Sequence, residues 1–135
     1  MTNRFPHILP ADAKVWTRFL ELHGKDFSHF DYDIRVGLGT DPGDIVEQKY
    51  RDMAITLSQR RIDAVGYSDN RIYIIEITQR AGIKALGQLV AYPALYRETF
   101  ASENTVFPLL VCSSFKSDAE SAFISAKIPY IVVDV

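Results

Sequence analysis

Residues 61–92 read RIDAVGYSDNRIYIIEITQRAGIKALGQLVAY, and this stretch decides the fold. Two short apolar segments, Arg61–Tyr67 and Arg71–Thr78, flank a Ser68-Asp69-Asn70 turn signal. A helix-like segment follows almost at once. Each apolar segment carries one acid, Asp63 in the first and Glu76 in the second. A carboxylate in an otherwise apolar strand is costly to bury unless it is paired, hydrogen-bonded or bound to a metal. Two of them close together point to a site rather than to packing. With Asp69-Asn70 as a two-residue hairpin turn, Ser68 faces Arg71 and Asp63 falls opposite Glu76, on one face of the sheet. Thr78, two residues on, shares that face. A three-residue turn slips the pairing by one and parts the two carboxylates, so the site reading depends on the turn.

The helix extends the pattern. Lys84, Gln88 and Tyr92 fall at i, i+4 and i+8, one stripe of a helix. An aspartate on one strand, Glu76-Ile77-Thr78 on the next, and Gln88-Leu89-Val90-Ala91-Tyr92 on the following helix resemble the RecB-like branch of the PD-(D/E)XK nuclease superfamily. The resemblance covers about thirty residues closely and the element order of the chain loosely. It departs at one place: Thr78 stands where the family has its lysine. Taken singly, each residue also has an ordinary reading. Asp63 caps or pairs with Arg61, Glu76 pairs with Lys84, Gln88 is a helix polar group, and Tyr92 is a core aromatic. Their joint spacing carries the resemblance.

The resemblance implies metal-dependent hydrolysis of DNA phosphodiesters by a protein of phage or mobile-element type. Asp63, Glu76, Lys84, Gln88 and Tyr92 form the expected catalytic set. Asp63, Glu76 and the Ile77 carbonyl are the expected ligands of Mg²⁺ or Mn²⁺. Two neighbouring ionised carboxylates repel, and a divalent cation relieves that repulsion. Lys84 begins the stripe that holds Gln88 and Tyr92, so its ammonium is the candidate replacement for the missing lysine. It is expected to pair with Glu76 when metal is absent. Arg80 is a second candidate, expected to face solvent from the turn. The alternative is a fold that persists without catalysis, as a DNA-binding or structural module of a larger assembly such as a phage particle, or as a homo-oligomer.

Composition sets the bounds. The chain has 135 residues, 47% of them hydrophobic, the size and content of one ordinary domain spanning 1–135. No apolar run reaches membrane-spanning length, and MTNRFPHILPAD lacks the apolar core of a signal peptide, so a cytoplasmic protein is expected, in its own cell or in a host, or a virion protein. The single cysteine, Cys112, reads as a small buried hydrophobe. A net charge of −2 and a pI near 5.9 do not advertise nucleic-acid binding overall, but they permit a local basic patch.

The rest of the chain frames the hairpin. Residues 1–9 read as an irregular arm. Pro10 opens a helix to about His23, with Val15, Trp16, Phe19 and Leu20 on its apolar face and Gly24 as its stop. Glu21, the one glutamate available for the acid that this helix often contributes in the superfamily, falls on the polar side. Residues 29–39 alternate as a strand with one buried face (Phe30, Tyr32, Ile34, Val36, Leu38) and one wet face, with Asp31 and Asp33 together on the latter. Val46, Tyr50, Met53, Ala54 and Leu57 fit a helical face, with the helix expected to about Ala54 and the tail left open. Arg60 and Arg61 read equally as phosphate contacts or as rim charges. A Pro93-interrupted helix follows the hairpin. A buried strand over Val106–Cys112, a short helix capped by Ser117 or Asp118, and a last strand over Ile128–Val135 complete the order α-β-(α)-β-β-α-β-α-β. This predicts an α/β, restriction-endonuclease-like mixed sheet flanked by helices.

Overall fold

The computed structural model describes residue 5 and residues 7–135, so much of the expected N-terminal arm lies outside the described residues. Helix α1 (Pro10–His23) begins on proline, whose missing N–H is unneeded in a first turn, and it runs on into a 3-10 turn over Gly24–Asp26. Strand β1 (His29–Val36), helix α2 (Gln48–Ser58), strand β2 (Arg60–Ser68) and strand β3 (Arg71–Ala81) follow. Helix α3 (Ile83–Phe100) carries Pro93 inside it; strand β4 (Thr105–Phe115), helix α4 (Ala119–Ala126) and strand β5 (Tyr130–Val132) close the chain.

One mixed sheet runs in the order β1-β2-β3-β4-β5, antiparallel from β1 to β3 and parallel from β3 to β5. The α3 crossover joins parallel β3 and β4, as a right-handed βαβ unit requires. β4 reads as a continuous apolar run because both its faces are covered, and Leu109 to Cys112 are buried along it. Pro108 is tolerated there because β5 pairs only with Leu110–Cys112, leaving one edge of β4 open at the proline. α1 packs Val15, Trp16 and Phe19 on one face of the sheet, against Ile75, Ile77 and Val111. On the other face, Tyr92 and Tyr96 of α3 meet Val36, Ile62, Ile72 and Ile74, while Ala85 and Leu89 join Phe123 of α4. The α/β nuclease-like order expected from the sequence is the order observed.

Several local expectations change. The strict alternation of β1 fails: Asp33 takes a left-handed conformation at φ 55°. Tyr32 therefore packs on the α1 side while Ile34 packs on the α3 side, and Leu38, 92% exposed, lies beyond the strand. The two wet-face aspartates part in function. Asp33 pairs with Arg61, and Asp31 accepts a hydrogen bond from the Tyr67 hydroxyl at 2.9 Å. α2 runs past Ala54 to Ser58, but buries no residue. No side chain caps α4: Asp118 stands at its N-cap in a left-handed conformation. Among the described residues no helix is long and apolar enough to cross a membrane.

Candidate active site

The hairpin register is the one the two-residue turn predicts. Ser68 pairs with Arg71 and Ala64 with Ile75, and Asp69 makes the turn at φ 54°, a conformation aspartate tolerates. The ladder between β2 and β3 then ends, one step short of Asp63 and Glu76. At that step Asp63 replaces the missing backbone bond with its side chain: Oδ2 accepts the Ile77 N–H at 2.9 Å. The β1–β2 pairing also skips this level, passing from Tyr32–Ala64 to Ile34–Ile62. Ala64 packs on the α1 side and Ile62 on the α3 side, which places Asp63 at the changeover. Glu76 alternates with Ile72 and Ile74, so it shares the α3 face of the sheet.

Glu76 is the buried polar residue of the core, 4% exposed, and its Oε1 has no hydrogen-bond partner among the described residues. Burial drives its pKa well above the ordinary carboxyl range, and a hydrogen bond donated by the protonated Glu76 carboxyl to Asp63, together with the Asp63 charge, pushes it further the same way. Lys84 works weakly against them. Without a cation, burial beside a second carboxyl therefore favours the protonated form of Glu76.

α3 brings the polar stripe alongside. Gln88 Nε2 donates to the Tyr92 hydroxyl at 3.3 Å. Tyr92 is buried; burial raises its pKa, Gln88 opposes, and the Glu76 charge adds to the rise. Lys84 is exposed, and among the described residues it forms no ion pair, so the expected Lys84–Glu76 pair is absent. The reason is physical: Lys84 sits in the first turn of α3 with its ammonium in water, and following Glu76 into the core would strip that hydration. Lys84 instead lines, with Gln88, two clefts of about 300 and 310 Å³. Arg60 joins the second with Tyr92, and Arg80 and Lys116 join the first with Thr78. Arg61 is taken by Asp33, which settles it as a rim charge.

Two neighbours of the acids were not foreseen. Asp12, in the first turn of α1, accepts the Gln79 N–H on Oδ1 at 2.7 Å. Its pKa is raised chiefly by burial, against the Gln79 bond, with the Asp63 charge adding to the rise. His7 Nε2 lies 3.3 Å from the Asp63 carbonyl oxygen. Glu21 stays in solvent, paired with Arg18 at 3.0 Å. The helical wheel carried a signal for this. Asp12 and Glu21 are nine residues apart, about half a revolution modulo full turns, so an acid facing the sheet at Asp12 leaves Glu21 facing water.

Among the described residues no cluster of three or more His, Cys, Asp or Glu side chains is arranged to hold a metal. The donor set is two carboxyl groups, one with a bare oxygen. That set fits Mg²⁺ or Mn²⁺, which take one or two carboxylates and keep waters, and does not fit a closed four-ligand zinc site.

No protein-family model matches the sequence, and no curated protein does. Among solved structures, the fold is similar to a chain in an EndoMS–double-stranded DNA complex, at a TM-score of 0.53 and 14% identity. The match covers 99% of this chain and 49% of that one, so the chain spans about half the length of its structural neighbour. The likeness is one of fold, and the fold is nuclease-like.

Proposed function

We propose that the chain is a PD-(D/E)XK nuclease-like protein of the RecB-like branch that hydrolyses DNA phosphodiesters with a divalent metal, in a phage or mobile-element setting. The observation that carries this reading is Glu76: a buried carboxyl with a bare oxygen, held beside Asp63. A buried acid without a partner is costly to the fold, and a cation bridging it to Asp63 offsets that cost. The DNA-bound structural neighbour supports the choice of nucleic acid.

Asp63, fixed by the Ile77 N–H, and Glu76 are the metal ligands, with the Ile77 carbonyl as the further one. Mg²⁺ or Mn²⁺ held there supplies a water of lowered pKa and a Lewis acid for a phosphate oxygen. The chain's own residues do the rest. Glu76 would hold such a cation as the carboxylate, its proton released to solvent. Gln88 holds the Tyr92 hydroxyl and orients the polar stripe toward the strand face. Lys84 stands free in the cleft and offers its ammonium to the phosphate, the duty the family gives to the residue at Thr78. A well-placed donor at a developing charge is worth about 10²–10³ in rate.

Purified protein with Mg²⁺ or Mn²⁺ is expected to cut DNA. Glu76→Gln, which keeps the shape and removes the charge, is expected to abolish cutting, and Lys84→Ala to slow it by about 10²-fold or more. The second reading, a non-catalytic DNA-binding or assembly module, is favoured by Thr78 and by the lack of a Lys84–Glu76 ion pair among the described residues. No metal-dependent cleavage of single- or double-stranded DNA or RNA would establish it over the first. In that case Thr78→Lys is the variant expected to gain weak activity.

A further inference from the structure

We infer that the cleft formed by Arg80, Lys84 and Lys116 at the carboxyl ends of β3 and β4 is a phosphate subsite, seating a backbone phosphate of the substrate strand beside the one being cut. The inference rests on the nuclease reading for its ligand and on separate residues for its argument. Parallel β3 and β4 finish in step: Arg80 pairs with Ser114, Ala81 with Phe115, and the Lys116 N–H bonds the Ala81 carbonyl at 2.8 Å. This sets Arg80 and Lys116 side by side at the end of the sheet where open α/β folds bind their ligands. The Lys116 stem lies across the Gly82 backbone: a Cβ at Gly82 would come within 3.0 Å of Lys116 Cδ. The ammonium is thereby held at the start of α3, and Gly82 leaves room for it.

Charge points the same way. The cleft, about 300 Å³, carries three cations and no acidic side chain in its lining. Among the described residues none of the three makes an ion pair. α3 has no acid in its first turn and no side-chain cap, so its leading N–H groups add positive potential to the same space. Thr78, in the family's lysine position, lines this cleft too and contributes a hydroxyl where a longer side chain would fill it. A protein of net charge −2 that leaves three cations unpaired around one opening presents a local anion site. Lys84 and Gln88 border both this cleft and the one that holds Arg60 and Tyr92, so a strand crossing them meets Arg60 on one side of Lys84 and Lys116 on the other.

The test is the salt dependence of binding to a labelled double-stranded oligonucleotide in EDTA, where no cleavage occurs. Each lost phosphate contact lowers the slope of log affinity against log salt by about one. Arg80→Ala and Lys116→Ala are each expected to weaken binding several-fold at low salt with that drop in slope. Lys116→Arg is expected to retain the wild-type slope, and all three variants to melt like the wild type. A second arm titrates inorganic phosphate into the wild type and the Arg80→Ala/Lys116→Ala double variant, following the amides of Ile83, Lys84 and Lys116. They are expected to shift in the wild type alone. Unchanged slopes in both single variants overturn the inference, even if the wild type cleaves DNA. Phosphate shifts with unchanged slopes also overturn it, since the ligand is then a free phosphate and not the strand. Altered slopes without any cleavage leave this inference standing and remove the hydrolytic reading instead.

Discussion

Helices α1 and α2 look alike on a helical wheel and end up in opposite conditions. α1 buries Val15, Trp16 and Phe19 completely, whereas on α2 Tyr50, Met53 and Leu57 are 51%, 55% and 64% exposed. The difference lies in the sheet and not in the helices. α1 lies over the middle strands, where Ile75, Ile77 and Val111 offer one apolar face. The opposite face near β1 is already filled by Tyr92 and Tyr96 of α3 over Val36 and Ile62. Nothing apolar remains for α2, which is tied down by polar contacts to the loops around β1. An apolar stripe states that a helix has a face to bury; whether a surface waits for it is decided by the rest of the chain.

The largest test of this contrast is truncation. Trp16→Ala removes a fully buried indole whose Nε1 donates to the Tyr32 hydroxyl at 3.0 Å, and is expected to cost about 3–5 kcal/mol in urea unfolding. Leu57→Ala on α2 is expected to change stability by about 0.5 kcal/mol or less. Comparable losses at the two positions would break the comparison.

The next effect is smaller and of opposite sign. On the α3 face, opposite α1, β3 carries a buried, under-partnered acid, Glu76. Because the folded pKa of Glu76 is raised, the folded state keeps a proton that the unfolded chain releases. Its contribution is therefore most favourable below the ordinary carboxyl pKa and declines as pH rises toward the folded value. Glu76→Gln removes the decline and lets an amide donate to Asp63. In metal-free buffer the variant is expected to be more stable than the wild type by about 1 kcal/mol near neutral pH. The gap should close toward pH 4, and Mg²⁺ should stabilise only the wild type. Thermal melts across pH in EDTA check this, and a gap that does not vary with pH would count against the buried-acid account.

Local chemistry made the core of this site legible in the sequence. The Asp69-Asn70 turn has a definite length, so the register followed, and with it the approach of Asp63 and Glu76. The i, i+4 spacing fixed the Gln88–Tyr92 contact in the same way. What could not be read depends on tertiary placement or on one backbone angle. Asp33 at φ 55° reverses the faces of β1, and aspartate is compatible with both conformations. Asp12 reaches the site only because α1 crosses the end of β3, which no periodicity encodes. Lys84 shares the stripe of Gln88, but its place in the first turn leaves it in water, a matter of depth and not of angle. The cleft of Arg80 and Lys116 joins residues 36 positions apart, brought together by parallel pairing of β3 and β4.

The smallest expected effect is also the most local. An isolated helix of 11 residues is marginal in water, and α2 has no buried residue to hold it. Its ties are polar. Arg51 grips Asp41 through two bonds of 2.7 and 2.6 Å and reaches Asp44 at 2.9 Å, while Arg35 donates to the Thr56 carbonyl at 2.9 Å. The Arg51 bond, then the Gly43 N–H, hold the Asp41 pKa down to about 2. That tie is complete above the ordinary carboxyl range and is lost only as pH falls through the depressed value. Backbone amides of α2 should therefore exchange with solvent by local opening, much faster than those of α1. Asp41→Asn should quicken α2 exchange further while the α1 amides and the global melting temperature hold steady. Amide exchange followed residue by residue decides it: α2 amides that open only with the whole molecule would mean that the polar ties do for α2 what the core does for α1.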